Sequence, residues 1–299
     1  MRRSVQYSQN FLRDPRLVEA LVSQSGISQN DTVLDIGAGS GSITRTLAAK
    51  AGHVIAYEAD ERLATKLVGE FIANPNVQIV MGDFLASAVP TATYKVFANI
   101  PFNKTSDIVH KLLDSFNPPI DCFLIIQHEA ALKFAGAPNR QTLFSALHGP
   151  WLRTEIVHTF QAHDFVPAPK VTAVLLRIEQ RDESLVPTSE SEIYRDFVSY
   201  IFNHANPNIL PSLKQLFSGK NFDASEQALG NKLTAKPSQL EIHDWITLFR
   251  AFMATASNSQ HQLIVGASVK QQREAASLEK HHRTRLDKNW RSTSKPKGR

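Results

Sequence analysis

The first 180 residues alternate short runs of β-branched residues with longer segments whose apolar positions recur at helical spacing. Such alternation is typical of a mostly parallel sheet with helices on both faces. The predicted strands are residues 32–36, 54–58, 77–81, 95–98, 122–127, 155–160 and 171–178. The predicted helices are residues 42–51, 61–72, 106–113 and 129–135, and a further one that begins after Asp14.

The last two predicted strands are joined by residues 163–169. This segment is too short for the crossover helix that parallel strands need, so we expect an antiparallel pair at the edge of the sheet. A polar linker over 180–188 follows, and beyond it Ile193, Phe197 and Ile201 recur every four residues. We therefore expect an α/β domain over 1–180 and a small all-helical domain over 189–256.

Composition supports packed cores, because 42% of the 299 residues are hydrophobic, and it argues against a disordered or fibrous chain. The longest apolar runs, such as residues 122–126, fall far short of the ~20 residues that cross a bilayer. Residues 1–7 lack the apolar run of a secretory signal, and the single cysteine, Cys122, cannot pair within the chain. We expect a cytoplasmic protein with no membrane contact.

The positive charge is concentrated at the end of the chain. Residues 257–299 contain ten Lys and Arg against three Asp and Glu, whereas the preceding residues carry a slight negative charge. Such a segment buries too little apolar surface to fold alone, so we expect a basic, disordered tail. Its charge suits attraction to the phosphates of a nucleic acid, and the alternative is a merely solubilising extension.

A glycine-rich turn, D-I-G-A-G-S-G at 35–41, ends the first predicted strand and opens a helix. Its glycines permit a tight turn and the close approach of a ligand to the backbone. Ser42 stands where a dinucleotide-binding motif has its third glycine, and Asp35 would repel a pyrophosphate. The turn therefore suits a cationic or zwitterionic ligand, unless it is a tight turn with no ligand.

Two more acidic residues follow at the next strand ends. Glu58 lies twenty-one residues after Gly37, a spacing that suits a carboxylate bound to ribose hydroxyls. Asp83 ends the third strand, where its side chain could meet an adenine amino group. Each acid alone could be a solvated loop residue, but together with Asp35 and the glycine turn they fit S-adenosylmethionine.

The fourth strand ends in N-I-P-F at 99–102. An exocyclic amino nitrogen is a poor nucleophile because its lone pair is delocalised into the ring. The Asn99 side-chain carbonyl and the Ile100 backbone carbonyl, held by Pro101, could accept its hydrogens and localise that lone pair. Phe102 offers a flat face for an extruded base, and Phe165 either supplies the opposite face or packs in the core.

Other catalytic and metal-binding patterns are missing from the sequence. The histidines do not fall at metal-ligand spacing, and neither a Ser-His-Asp arrangement nor a phosphate-binding loop is present. We therefore expect no zinc site. Because a methylated ammonium is strongly acidic and can lose its proton after transfer, we also expect direct transfer from the sulfonium without a metal or a dedicated base.

With these residues in place, the chain resembles the ribosomal RNA adenine N6-dimethyltransferases over about residues 6–256. Four motifs carry the resemblance: Q-N-F-L at 9–12, the glycine turn at 35–41, N-I-P-F at 99–102 and F-V-P-A-P-K-V at 165–171. The resemblance implies a Rossmann-like, S-adenosylmethionine-dependent methyltransferase fold with a seven-stranded, mostly parallel sheet. It implies cofactor contacts from Asn10, Leu12, Gly37, Gly39, Glu58, Asp83 and Asn99. Asn99, Ile100, Pro101 and Phe102 would form the catalytic face, with Phe165 closing on the adenine.

Two branches of that family remain open. Erythromycin-resistance (Erm) enzymes modify one adenine in the peptidyl-transferase loop of 23S rRNA, and housekeeping enzymes modify the 3′ hairpin of 16S rRNA. Housekeeping enzymes usually carry Leu where Ile100 stands and Tyr where Phe102 stands, so the sequence favours the resistance branch. A third hypothesis is a non-catalytic nucleic-acid-binding protein on the same fold. We expect a monomer that acts on ribosomal RNA, by mono- or dimethylation.

Overall fold

The computed structural model describes residues 10–137, 140–217 and 222–277. The strands in this part of the chain are β1 (Phe11–Leu12), β2 (Thr32–Ile36), β3 (His53–Glu58), β4 (Val77–Met81), β5 (Lys95–Asn99), β6 (Asp121–Gln127), β7 (Leu152–Thr159), β8 (Phe165–Val166) and β9 (Ala173–Gln180). The α-helices there are α1 (Pro15–Gln24), α2 (Ser42–Lys50), α3 (Glu61–Phe71), α4 (Thr105–Leu113), α5 (His128–Ala135), α6 (Leu143–His148), α7 (Ser191–His204), α8 (Leu210–Leu216), α9 (Phe222–Leu229), α10 (Ile242–Thr255), α11 (Asn258–Ile264) and α12 (Ala267–Ser277).

Seven strands form one sheet in the order β4-β3-β2-β5-β6-β9-β7. The first five are parallel to their neighbours, and β9 is antiparallel to both β6 and β7. This is the predicted Rossmann-like fold, including the antiparallel pair at one edge. The predicted strands and helices recur with ends displaced by at most three residues, and Asp14 caps α1 through a 2.9 Å bond from the Arg16 amide nitrogen.

Burial of the central strands on both faces explains their nearly continuous apolar sequences. In β6 the first six residues are all buried. Leu124 packs in the cluster on one face of the sheet, whereas its neighbours Phe123 and Ile125 pack in the cluster on the other. The sheet is thus covered on both sides.

A two-stranded sheet joins distant parts of the chain. In it β1 is antiparallel to β8, with Phe11 opposite Val166 and Leu12 opposite Phe165, and the Arg13 amide donates to the Asp164 carbonyl at 2.8 Å. The pairing brings the Q-N-F-L and F-V-P-A-P motifs together. Sequence periodicity does not predict it, because strands of two residues have no measurable period.

The helical region has its own core. Tyr194 and Phe197 of α7 pack against Phe249 of α10, with ring centroids 5.1 and 5.7 Å from the Phe249 ring, respectively. Helix α6, which the sequence pattern does not reveal, also joins this core, and the Tyr194 hydroxyl donates to the Ala146 carbonyl at 2.9 Å. No described helix is long and apolar enough to cross a membrane.

The expectation of a disordered tail from residue 257 is wrong for its first part. Residues 257–277 form α11 and α12, and α12 packs against α7. The buried Asp196 carboxylate accepts bonds from the Gly266 amide at 2.7 Å and from the Ser268 amide at 2.9 Å. The Asp196 carboxylate on α7 therefore caps the beginning of α12 and fixes this helix against α7. Residues 278–299, with eight of the tail's basic residues, lie outside the described part of the chain.

Asp196→Ala should release α12 from α7. Two amide donors and the Ser268 hydroxyl lose their acceptor, so we expect a loss of about 1–3 kcal/mol in the free energy of unfolding and faster hydrogen exchange in α12. Glu192→Ala, an exposed acid on the same helix, is the matched control and should change the stability by less than about 0.5 kcal/mol. Unchanged exchange in α12 would contradict this role of Asp196.

Candidate active site

The glycine turn lies at the carboxyl end of β2 with its backbone in the left-handed region. Gly37 and Gly39 have φ of +79° and +56°. A Cβ atom on Gly39 would lie 2.6 Å from Cε1 of Phe11, so the close approach of β1 requires glycine there. The Gly37 and Ala38 amides both donate to the Tyr57 carbonyl, at 2.8 and 3.0 Å, which fixes the turn against β3.

The glycine turn also orients the Glu58 carboxylate. Its Oε2 accepts from the Gly39 amide at 2.7 Å, and its Oε1 accepts from the Asp60 amide at 2.8 Å. The residue is 2% exposed. Because each carboxylate oxygen has two lone pairs, Glu58 keeps the capacity to accept bonds from two ligand hydroxyls.

Asp35 lies within β2 rather than at its end and is 1% exposed. Its Oδ2 accepts from the Thr44 hydroxyl at 2.6 Å, but its Oδ1 has no hydrogen-bond partner among the described residues. Burial raises the pKa of Asp35 from its ordinary 3.8 to about 7 in spite of the Thr44 bond, and the nearby Glu58 charge adds to the rise. An orphaned buried carboxylate of this kind is suited to a cationic group in the ligand.

Asp83 follows β4, beside the end of β3, where the Gly82 amide donates to the Glu58 carbonyl at 2.8 Å. The Asp83 carboxylate caps the helical turn Phe84–Ala86 by accepting from the Leu85 amide at 2.9 Å. Its side chain is half exposed, and the Lys104 ammonium lies 4.0 Å away. Asp83 is therefore an open acceptor next to the buried Glu58.

Asn99 ends β5 and is tied to the N-terminal segment. Its Nδ2 donates to the Asn10 backbone oxygen at 2.6 Å, which leaves Oδ1 as the acceptor for an incoming amino group. A Cβ atom on Gly37 would lie 3.7 Å from the Asn99 carbonyl oxygen and 3.5 Å from the Pro101 ring. The glycine turn, Asn10 and the N-I-P-F motif therefore lie next to one another.

The remaining predicted residues differ in their exposure. Ile100 and Leu12 are buried, and Phe102 is half-buried at the start of the helical turn Phe102–Lys104. Phe165 is 3% exposed, and its ring centroid lies 5.3 Å from that of Phe160. Of the two interpretations of Phe165, this conformation shows core packing, so contact with an adenine remains a prediction that requires the ring to turn outward.

Sequence reasoning missed several partners in this site. Thr44 is bonded to Asp35, Phe11 covers Gly39, and Lys111 contacts the segment that follows Asp83. These residues lie on neighbouring elements at irregular spacings, so no periodic pattern connects them with the acids.

The geometry can now be compared with known proteins. A family model described as "Ribosomal RNA adenine dimethylase" matches residues 2–253. The chain belongs to this family. The family and the enzyme class predicted from the four motifs, an rRNA adenine N6-methyltransferase, are thereby confirmed.

Three individual similarities are informative. The chain is 30% identical over 248 residues to an rRNA methyltransferase of Streptomyces thermotolerans, covering 83% of each protein. It is 31% identical over 208 residues to a probable ribosomal RNA small subunit methyltransferase A of Methanopyrus kandleri, covering 69% of this chain and 74% of that one. The crystal structure of the 23S rRNA methyltransferase ErmE superimposes with a TM-score of 0.76 at 28% identity, covering 82% of this chain and 100% of ErmE. The predicted resemblance to the Erm type is confirmed.

Asp35→Asn should make the stability less dependent on pH. Between pH 4 and about 7 the unfolded wild-type chain releases the Asp35 proton while the folded chain keeps it, so rising pH favours unfolding. Over that interval the wild type should lose stability relative to the variant by at most about 1.4 kcal/mol per pH unit. Urea denaturation of both proteins across the interval measures this, and a pH-independent difference would contradict the raised pKa.

Proposed function

We propose that this enzyme methylates N6 of one adenine in the peptidyl-transferase loop of 23S rRNA, using S-adenosylmethionine. In its host this modification would confer resistance to macrolides, lincosamides and streptogramin B. The similarity to the 23S rRNA methyltransferase ErmE over the whole of that protein supports the choice of RNA. Ile100 and Phe102, rather than Leu and Tyr, support it as well.

The observation that carries the proposal is the position of Asn99. Its amide nitrogen is held by the Asn10 carbonyl at 2.6 Å, and its backbone lies against the glycine turn. The Asn99 amide oxygen is therefore an acceptor at the end of β5. The neighbouring carboxylates of Asp35, Glu58 and Asp83 suit a ligand that combines a ribose, an adenine and a positive charge.

The side chains present fit S-adenosylmethionine, which supplies an electrophilic methyl group on a sulfonium when bound. Glu58 would accept the ribose hydroxyls, Asp83 the adenine amino group, and the unpartnered Asp35 Oδ1 would face positive charge. We assign further contacts to Asn10, Leu12, Gly37 and Gly39, which line or adjoin the turn.

At the reacting end, Asn99 and the Ile100 carbonyl would accept the two hydrogens of the target amino group. These bonds would localise the nitrogen lone pair and make it available for the new C–N bond to the methyl group that the cofactor would supply, with the S–C bonding pair remaining on the cofactor. The methylated nitrogen then loses a proton to water, so no base is needed. Phe102 would stack on the extruded adenine, a contact worth about 1–3 kcal/mol.

The helical region and the basic residues beyond 257 would hold the RNA through its phosphates. We propose a monomer in the cytoplasm, where ribosomes assemble. The similarity to a protein named as a small-subunit methyltransferase keeps 16S rRNA as the alternative substrate. A binding-only role is disfavoured, because the glycine turn, Asn99 and Phe102 are all present.

Purified protein, labelled S-adenosylmethionine, and unmodified 23S and 16S rRNA should decide between these substrates. We expect label on a single adenine of the 23S peptidyl-transferase loop, located by mapping the modified base. Label on adjacent adenines of the 16S terminal hairpin would assign the protein to the housekeeping branch. No label on either RNA would favour the binding-only role.

Asn99→Ala should reduce methyl transfer by about 100-fold or more, because the target nitrogen loses the acceptor that localises its lone pair. Cofactor affinity should change by less than about tenfold, since the carboxylates and the turn remain. Asn103→Ala, an exposed asparagine four positions further on, is the matched control and should keep its turnover within about twofold. Undiminished turnover in Asn99→Ala would exclude this mechanism.

A further inference from the structure

Lys111 makes an unusual set of contacts. It lies in the last turn of α4, and its Nζ donates to the backbone carbonyls of Phe84 at 2.5 Å, Leu85 at 2.9 Å and Ser87. The ammonium also lies 4.8 Å from the centroid of the Phe84 ring. Because an ammonium has three donors, all of its hydrogen-bonding capacity is directed at one short segment of backbone.

That segment carries Asp83. At its beginning the Asp83 carboxylate caps the helical turn through the Leu85 amide, and Lys111 binds the backbone carbonyls within the turn and after its end. The Phe84 ring is buried, with its centroid 5.1 Å from that of Tyr57, the residue before Glu58. The direction of the Asp83 side chain thus depends on a turn held from both ends.

The charge of Lys111 is also close to Asp83. Burial lowers the pKa of the Lys111 ammonium from its ordinary value, and the negative charge of Asp83 opposes that effect. The ammonium is partly buried, so the three carbonyl oxygens replace part of its hydration, and breaking these bonds would leave a poorly solvated charge.

Helix α4 connects this lysine to the reacting end. The helix begins directly after the helical turn Phe102–Lys104, which starts at the last residue of the N-I-P-F motif, and the Thr105 hydroxyl donates to the Phe102 carbonyl at 3.1 Å. Its first turn therefore supports Phe102, and its last turn supports the Asp83 segment. One rigid element sets the spacing between the face for the target base and the acceptor for the cofactor's adenine.

We propose that Lys111 is a positioning residue of the cofactor site, which fixes the Asp83 turn so that the carboxylate meets the adenine amino group of S-adenosylmethionine. The inference rests on the proposed function, because it takes S-adenosylmethionine as the ligand. Lys111 acts through Asp83 and touches neither substrate.

The test measures binding of S-adenosylhomocysteine to the full chain by calorimetry, with no RNA present. Lys111→Met keeps the aliphatic stem against Phe84 and removes the ammonium. We expect its dissociation constant to rise about tenfold. In an Asp83→Ala background the same substitution should change the dissociation constant by less than about twofold, because the carboxylate that Lys111 positions is absent. In a separate methyl-transfer assay at saturating S-adenosylmethionine, KM for RNA should change less than about twofold.

Lys95→Met is the matched control. Lys95 is also partly buried and donates to a carbonyl, that of Gly26 at 3.0 Å, and to Asp31 at 3.1 Å. Lys95 is the first residue of β5, whereas the site lies at the other end of the strand, after Asn99. Its loss should lower stability, yet change S-adenosylhomocysteine binding by less than about twofold.

Equal binding by the wild type and Lys111→Met would overturn the inference, as would an equal loss with and without Asp83. Failure of the wild type to bind S-adenosylhomocysteine would instead contradict the proposed function. If Lys111→Met does not fold, Lys111→Arg keeps a cation of different shape, and we expect it to weaken binding about threefold or more. Unchanged binding by a folded Lys111→Arg would count against the proposal.

Discussion

Parallel pairing of β4, β3, β2 and β5 is the constraint on which the site depends. Each strand runs in the same direction, so the residues that follow the strands come to one edge of the sheet. Asn99 lies more than forty residues along the chain from both Glu58 and the glycine turn, yet all three share that edge. The apolar burial that stabilises the sheet on both faces thereby also fixes the distances between polar groups that contribute little to stability.

The three carboxylates at this edge show how one scaffold gives acids different properties. Asp35 is enclosed beneath α2 with one oxygen unpartnered, and burial favours its protonated form. Glu58 is equally buried, but two amides point at its oxygens. Asp83 stands half in solvent on a short turn. A ligand with hydroxyls, an amino group and a positive charge can therefore find a distinct partner for each.

Much of the fold follows from the sequence because strong periodic signals determine it. The apolar run of β6, the cap at Asp14 and the short connection before β9 each predict one local outcome. The unpredicted features depend on contacts between distant segments. The pairing of β1 with β8 and the capping of α12 by Asp196 are examples, since each needs a partner whose position only the folded chain defines. The same holds for the site, where the acids and Asn99 were evident but Thr44 and Lys111 were not.

The short length of β1 has a consequence for access to the glycine turn. The two residues of β1, the Arg13 bond to Asp164, the bond from Asn99 and the buried Leu12 attach the segment, and β1 pairs with no strand of the seven-stranded sheet. Fraying of β1 would remove Phe11 from Gly39 and break none of the pairings of the seven-stranded sheet, at the cost of a few hydrogen bonds and of the burial of Leu12. If S-adenosylmethionine binds at the glycine turn as proposed, this local opening would expose the turn on the time scale of loop motion.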